Sequence, residues 1–332
     1  MLLTRRRRRT VSAGFALALA LVSAVGCASG ADAPAAADRD GDGLVEMTAG
    51  VAASQSSTAL ILGAEKGFFA AEGIDLTITY AASGAAGIPQ VLNGQQQVVL
   101  GGISATITAV SEGIPVVIVS GSVNDRADPA GPQYQTMVPG GSDIQRFADL
   151  SGRLVAVNSL QCCWELWIRE AVARDGGDPD SVEMVQLPFP DAVTALREER
   201  VDAISTVQPF ATGLRRDGYR DIGDSPATAY DDPENGNTVF SMSRQFVDAN
   251  PGIVGRWRRA LQRSAEYANT HPDETRAQII EQTGAKAELV GSAPLPLYSA
   301  EIDRDAVQEE ADFLVRYGVL DSAPRLEELI VP

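Results

Sequence analysis

The sequence predicts an α/β fold of two lobes, on three observations. From Leu44 onward short β-rich runs alternate with helical stretches, the pattern of parallel α/β layers. The stretch Asn124 to Pro132, rich in Asp, Pro and Gly, interrupts that alternation and reads as an irregular crossing, after which a second alternating series begins. A strand-like run at Thr238 to Met242 then carries the chain back, and beyond Arg244 everything reads as helical apart from the Pro-rich Pro294 to Leu297 segment. The lobes expected are 44–132 with 239–332, and 133–238, so the chain crosses between them twice.

Each element follows from local pattern. Val45 to Val51 reads as the first strand, Gln55, Ser56, Ser57 and Thr58 as a turn and N-cap cluster, and Leu60, Ile61, Ala64, Phe68 and Phe69 fall at helical spacing. Gly73 closes that helix and Ile74 to Tyr80 is a second strand. Ser83-Gly84-Ala85-Ala86-Gly87 is a small-residue loop that permits close approach by a ligand, leading into a helix that ends near Asn93-Gly94. Gln97 to Leu100 enters Gly101-Gly102-Ile103-Ser104, Ala105 to Val110 is helical, and Pro115 to Ser120 is a buried strand. The second series opens at Ile144 to Leu150. Its strand Leu154 to Val157 leads to Asn158-Ser159-Leu160-Gln161 and a helix through Arg174, which Gly176 and Gly177 stop. Val182 to Leu187 is a strand, Asp191 caps a helix to Glu199, Val201 to Thr206 is a strand, and Gln208-Pro209-Phe210 starts a helix toward Asp217. Pro251 to Asn269, Asp273 to Gln282 and Ile302 to Tyr317 have amphipathic spacing and are expected to cover the first lobe.

The N-terminus reads as export machinery. Arg5 to Arg9 precede the apolar run Val11 to Val25, in the order of a signal peptide, and the run is too short for a comfortable membrane span. Ser23-Ala24-Val25-Gly26-Cys27 then resembles the lipobox of bacterial lipoproteins, with Cys27 the lipidated residue at the end of a leader 1–27. Residues 28–43, rich in Ala, Asp and Gly, hold too little bulky apolar content to pack and read as a flexible tether. Removing the five leader arginines takes the formal charge from −17 to −22. So acidic a surface repels phosphate backbones and anionic headgroups, which disfavours nucleic acid and leaves a covalent lipid as the route to the membrane. The 332 residues, 45% hydrophobic, suffice for two cores without disulfide staples.

Several landmarks resemble a known family. Ala64-Glu65-Lys66-Gly67-Phe68-Phe69-Ala70-Ala71-Glu72-Gly73-Ile74-Asp75-Leu76 is similar to the first-helix signature of ABC-importer solute-binding lipoproteins for nitrate, taurine, sulfonates and thiamine pyrimidine precursors. Asn93-Gly94-Gln95, Gly113-Ile114-Pro115-Val116, Asp149-Leu150-Ser151-Gly152-Arg153, Val201-Asp202-Ala203 and His271-Pro272-Asp273-Glu274 follow in the family's order. The resemblance spans about Leu44 to Val331. It implies a type II periplasmic-binding-protein fold whose lobes close over a small-molecule ligand, outside the cell membrane, in partnership with a permease and its ATPase. The protein is then a monomer that catalyses nothing and needs no cofactor, and its ligand is a small organic anion. A pyrimidine, or an enzyme of thiamine-pyrimidine synthesis, is the alternative.

Open α/β sheets bind ligands beyond the carboxyl ends of their strands, where helix N-termini present unpaired N–H groups. The residues expected in the cleft are Ser56, Ser57, Thr58, Ser83, Gly84, Gly102, Ser104, Ser159, Gln161, Trp164, Gln208 and Phe210. Trp164 and Phe210 can stack on a planar solute, and Arg126 in the crossing can pair with an anionic group or be solvated. Cys162 and Cys163 read as small buried hydrophobes, as a strained vicinal disulfide, or as ligand-facing thiols. Metal binding lacks a CxxC partner or a nearby histidine, His271 being the single one. GxSxG, Walker, HExxH and GxGxxG spacings do not occur.

Overall fold

A computed structural model describes residues 44–80, 84–125 and 132–332. The leader, Cys27, the tether, Ser83 and Arg126 lie outside the described residues. The strands are β1 (Val45–Val51), β2 (Ile74–Tyr80), β3 (Val98–Gly102), β4 (Val116–Asn124), β5 (Tyr134–Val138), β6 (Leu154–Val157), β7 (Glu183–Gln186), β8 (Ala203–Val207), β9 (Arg220–Asp221), β10 (Thr238–Ser243) and β11 (Leu297–Tyr298). They form two sheets, in the orders β11-β4-β10-β3-β1-β2 and β7-β6-β8-β5-β9. Mixed α/β layers in two lobes, joined by two passages of the chain, are therefore the architecture, as the alternation implies.

In the first sheet β1 pairs parallel with β2 and β3, while β10 inserts antiparallel between β3 and β4. The carboxyl ends of β1 to β4 thus share one edge, and β10 begins there. β4 is buried along Val116 to Val123, as a strand covered on both faces must be. At Gly121 a Cβ would lie 1.9 Å from the Glu301 carbonyl oxygen, so only glycine admits that backbone approach. Trp257, fully buried, packs against Phe69 and Phe240 with centroids 5.1 and 5.2 Å away, and its Nε1 donates to Ser120 Oγ at 3.0 Å.

In the second sheet β6 pairs parallel with β7 and β8, and β5 runs antiparallel between β8 and β9. Val155, Val157 and Ile168 form a core on one side, Ala156, Leu196 and Ile204 on the other. Two elements depart from the local pattern. β5 was not expected, because Gln135 and Thr136 interrupt its apolar run, yet both are fully buried between β8 and β9. A short helix Ser225–Ala229 follows Asp224, whose Oδ1 accepts from Ala227 N at 2.9 Å.

The late helix Arg304–Arg316 does not merely cover the first lobe. Its Val307, Ala311 and Phe313 share one core with Ile103 and Ile107 beside the first sheet, and with Leu166 and Trp167 from the helix Cys163–Arg174 of the second. Amphipathic spacing shows that a helix has a core-facing side; it does not say how many elements that side meets.

Candidate functional site

The facing edges of the two sheets meet at a small set of contacts. Tyr134 Oη, at the start of β5, donates to Asn237 Oδ1 at 2.9 Å, just before β10. Gln133 Nε2 donates to the Pro294 carbonyl at 2.8 Å. Gly102 closes β3, and a Cβ there would lie 3.1 Å from Cys163 Sγ, so the missing side chain lets the second half approach. Asp125, one residue past β4, lies beside the Asp224 carboxyl across the junction, close enough to act on its charge. Burial first, and Asp125 next, push the Asp224 carboxyl well above its ordinary value.

An aromatic wall lines the second lobe at this junction. Trp164 is half-buried on the first turn of the helix Cys163–Arg174, with ring centroids 5.6 Å from Tyr134, 5.4 Å from Trp167 and 5.2 Å from Phe189. Phe210 continues the row at 5.9 Å from Phe189. Edge-to-face geometry at Tyr134 and Phe189 holds the Trp164 indole in place by ring quadrupoles as well as by burial.

The polar residues expected here have varied situations. Ser57 is fully buried and its Oγ bonds the carbonyls of Ala52 at 3.0 Å and Ser54 at 2.9 Å, closing the turn instead of capping the helix Thr58–Glu65. Thr58 Oγ1 accepts from Gln282 Nε2 at 2.9 Å, and Ser56 offers its carbonyl to Ser122 Oγ at 2.8 Å. Ser104 is buried and its Oγ donates to Glu310 Oε1. Gln208 accepts from Thr212 Oγ1 at 2.7 Å and donates to the Pro132 carbonyl at 3.1 Å. Gln161 is exposed at a φ of 55°, its N–H bonded to Glu165 Oε2 at 2.8 Å. Ser159 Oγ is 2.8 Å from Cys162 Sγ, and Gly84 opens the helix Gly84–Leu92. Of the residues expected, the structure brings together Gly102, Ser159 and Trp164 around the cysteine pair, and Phe210 beyond them.

Other residues at these edges escaped the sequence reading. Gln55 directly follows the β1 loop and is 7% exposed, and neither atom of its amide has a hydrogen-bond partner. Tyr134 and Phe189 complete the wall. Their signal was available in part, as an aromatic directly after a strand, in Leu187-Pro188-Phe189, mirrors Gln208-Pro209-Phe210. Asp125 and Asp224 had no local signal, because only the fold joins them. Among the described residues of segments 52–57, 84–87, 102–106, 124–125, 132–134, 158–164, 187–191, 208–212 and 223–228 none is Lys or Arg. The donors these segments offer are therefore uncharged: amide, hydroxyl, thiol, indole and backbone N–H groups. Among the described residues no group of three or more His, Cys, Asp or Glu could hold a metal ion.

Two sheets with facing carboxyl edges, joined by two crossings and each holding an antiparallel strand where the chain enters it, define the class: a two-lobed periplasmic-binding-protein fold. The chain belongs to the family described as NMT1/THI5 like, which it matches over residues 54–275. It is 26% identical over 216 residues to the bicarbonate-binding protein CmpA of Synechococcus elongatus, covering 58% of this chain and 47% of that one. It is 26% identical over 229 residues to the formylaminopyrimidine-binding protein of Halalkalibacterium halodurans, covering 65% and 64%. The chain thus spans about half to two thirds of the length of these curated relatives. The periplasmic aliphatic sulphonate binding protein SsuA of Escherichia coli shares the fold, with a TM-score of 0.70 at 15% identity over 86% of this chain and 92% of that one. The family resemblance carried by the Lys66-Gly67-Phe68-Phe69 signature is borne out.

Proposed function

We propose that this chain is the extracytoplasmic solute-binding component of an ABC importer, tethered to the outer face of the cell membrane by lipid at Cys27. Residues 28–43 are its tether, 44–132 with 239–332 its first lobe, and 133–238 its second. The observation that carries the reading is the aromatic wall Tyr134–Trp164–Phe189–Phe210, standing at the carboxyl edge of one sheet opposite the polar edge of the other. Its relatives are named as binding proteins, which supports capture without turnover.

The solute is a small organic anion carrying a flat group. Helix N-termini and neutral N–H and O–H donors hold its charge, and the wall takes its plane. A pyrimidine is the second reading, favoured by the same wall and by the formylaminopyrimidine-binding relative. Ser56, Ser57, Thr58, Ser83, Gly84, Gly102, Ser104, Ser159, Gln161, Trp164, Gln208 and Phe210 are the positions from which contacts would come, with Gln55 added for its unpartnered amide. No helix of the described residues is long and apolar enough to cross a membrane, which suits attachment through lipid.

A thermal-shift screen of the protein against sulfonates, carboxylates, nitrate, bicarbonate and pyrimidines tests the assignment. A true ligand at ~100 times its Kd adds about 2.7 kcal/mol to stability. Stabilisation by one class, with the compound recovered unchanged, is the expected result. Chemical conversion of the stabilising compound, or no response across all five classes, would sink it.

A further inference from the structure

The cysteine pair at the start of the helix Cys163–Arg174 stands apart from the donors just described. Cys162 is the N-cap residue of that helix, in extended backbone, so its sulfur lies where unpaired N–H groups concentrate partial positive charge. Cys163 Sγ is 3.6 Å from Cys162 Sγ, and Ser159 Oγ is 2.8 Å from it. These S–H and O–H groups can both donate to a thiolate. The hydrogen bond from Cys163 and that of Ser159, with the nearby Trp164 N–H, hold the Cys162 thiol below its ordinary range against the opposing effects of burial and Glu310. Cys163 is driven the other way: it supplies the proton for that bond and is buried. Access follows the same division, Cys162 being half-buried and Cys163 only 6% exposed.

We propose that Cys162 and Cys163 form a two-electron redox switch at the lobe junction, with Cys162 the sulfur that a hydroperoxide oxidises and Cys163 the resolving thiol. The Cys162 thiolate attacks the terminal peroxide oxygen. An S–O bond forms, the O–O bond breaks, and hydroxide leaves, or alkoxide from an organic peroxide. The Cys163 sulfur then attacks the sulfenic acid: the S–S bond forms, the S–O bond breaks, and the hydroxyl departs with the Cys163 proton as water. Two electrons pass from the sulfurs to the peroxide. The ring closed across a single peptide bond is strained and so is readily reduced, which makes the oxidised state reversible. Its effect falls on the junction, because Cys163 faces Gly102 of the first lobe and the next residue is Trp164. The switch does not depend on which solute the cleft takes.

The test treats the full chain with hydrogen peroxide and maps its peptides by mass. Wild type is expected to lose two hydrogens in the peptide holding both cysteines and to regain them with dithiothreitol. Cys163→Ser is expected to accumulate a sulfenic acid at Cys162 that dimedone traps. In wild type at neutral pH, iodoacetamide is expected to label Cys162 at least about tenfold faster than Cys163. This labelling decides the matter even where a serine variant folds poorly. The proposal is overturned if Cys162 reacts no faster than Cys163, or if peroxide carries wild type to sulfinic acid without any disulfide.

Discussion

Trp164 is held by three neighbouring rings and still presents part of its surface, the condition for an aromatic that receives a ligand. Trp164→Ala is expected to weaken binding of the solute identified by the screen by about 1–2 kcal/mol, read as the change in Kd by titration calorimetry. An unchanged Kd would remove this residue from the site. Glu310 shows a different use of burial. It is fully enclosed, with Tyr230 Oη donating at 2.6 Å and Trp167 Nε1 at 3.2 Å, and burial pushes its carboxyl above the ordinary 4.5 despite those bonds. A carboxyl raised in the fold contributes stability that is complete below its unfolded value and is lost as pH rises through its folded value. The melting temperature of wild type relative to Glu310→Gln is therefore expected to fall as pH rises above the ordinary 4.5. A difference that stays flat, or rises, contradicts this.

At the scale of elements, the helices Cys163–Arg174 and Arg304–Arg316 are joined through Glu170. Its side chain is 3% exposed and accepts from Arg316 Nη1 at 2.6 Å, Arg174 Nε at 3.0 Å and Tyr317 Oη at 2.8 Å. Burial alone would raise this carboxyl, but the three donors outweigh it and hold it below its ordinary value. Its contribution is thus present above the unfolded value and lost as pH falls. Arg316→Gln is expected to cost about 1–2 kcal/mol by urea unfolding at neutral pH, less than a fully buried pair because Arg316 is half exposed and Arg174 remains. The cost should shrink toward pH 4. Gly121→Ala belongs to the same scale, since the added methyl meets the Glu301 carbonyl; about 1–3 kcal/mol of destabilisation is expected from the same assay.

For the whole molecule, the first strands were legible from sequence to the residue: Val45–Val51 and Ile74–Tyr80 were expected and found. Their signal is local, an apolar run bounded by turn residues. β5 was missed because Gln135 and Thr136 are polar, and only burial between two neighbouring strands makes them strand residues. The site divides likewise. Trp164 and Phe210 could be named from their places at helix starts, whereas the serines and Gln208 carry hydroxyls and amides whose partners are chosen by distant chain. Ser104, for one, meets Glu310 from 206 residues away. Small-angle scattering is expected to show ligand reducing the radius of gyration of wild type, and to show no such reduction for Gly102→Val, whose side chain would hold the lobes apart at Cys163.

By itself the sequence determined the α/β alternation, the two crossings of the chain and membership of the family, because periodicity, turn chemistry and short signatures act over a few residues. Only the tertiary structure decided that Asp125 lies beside Asp224, that a late helix shares one core with both sheets, and that a glycine in one sheet makes room for a cysteine beside the other. Such pairings join residues with no common local pattern. They are set by which surfaces can be buried together and which buried polar atoms then find partners.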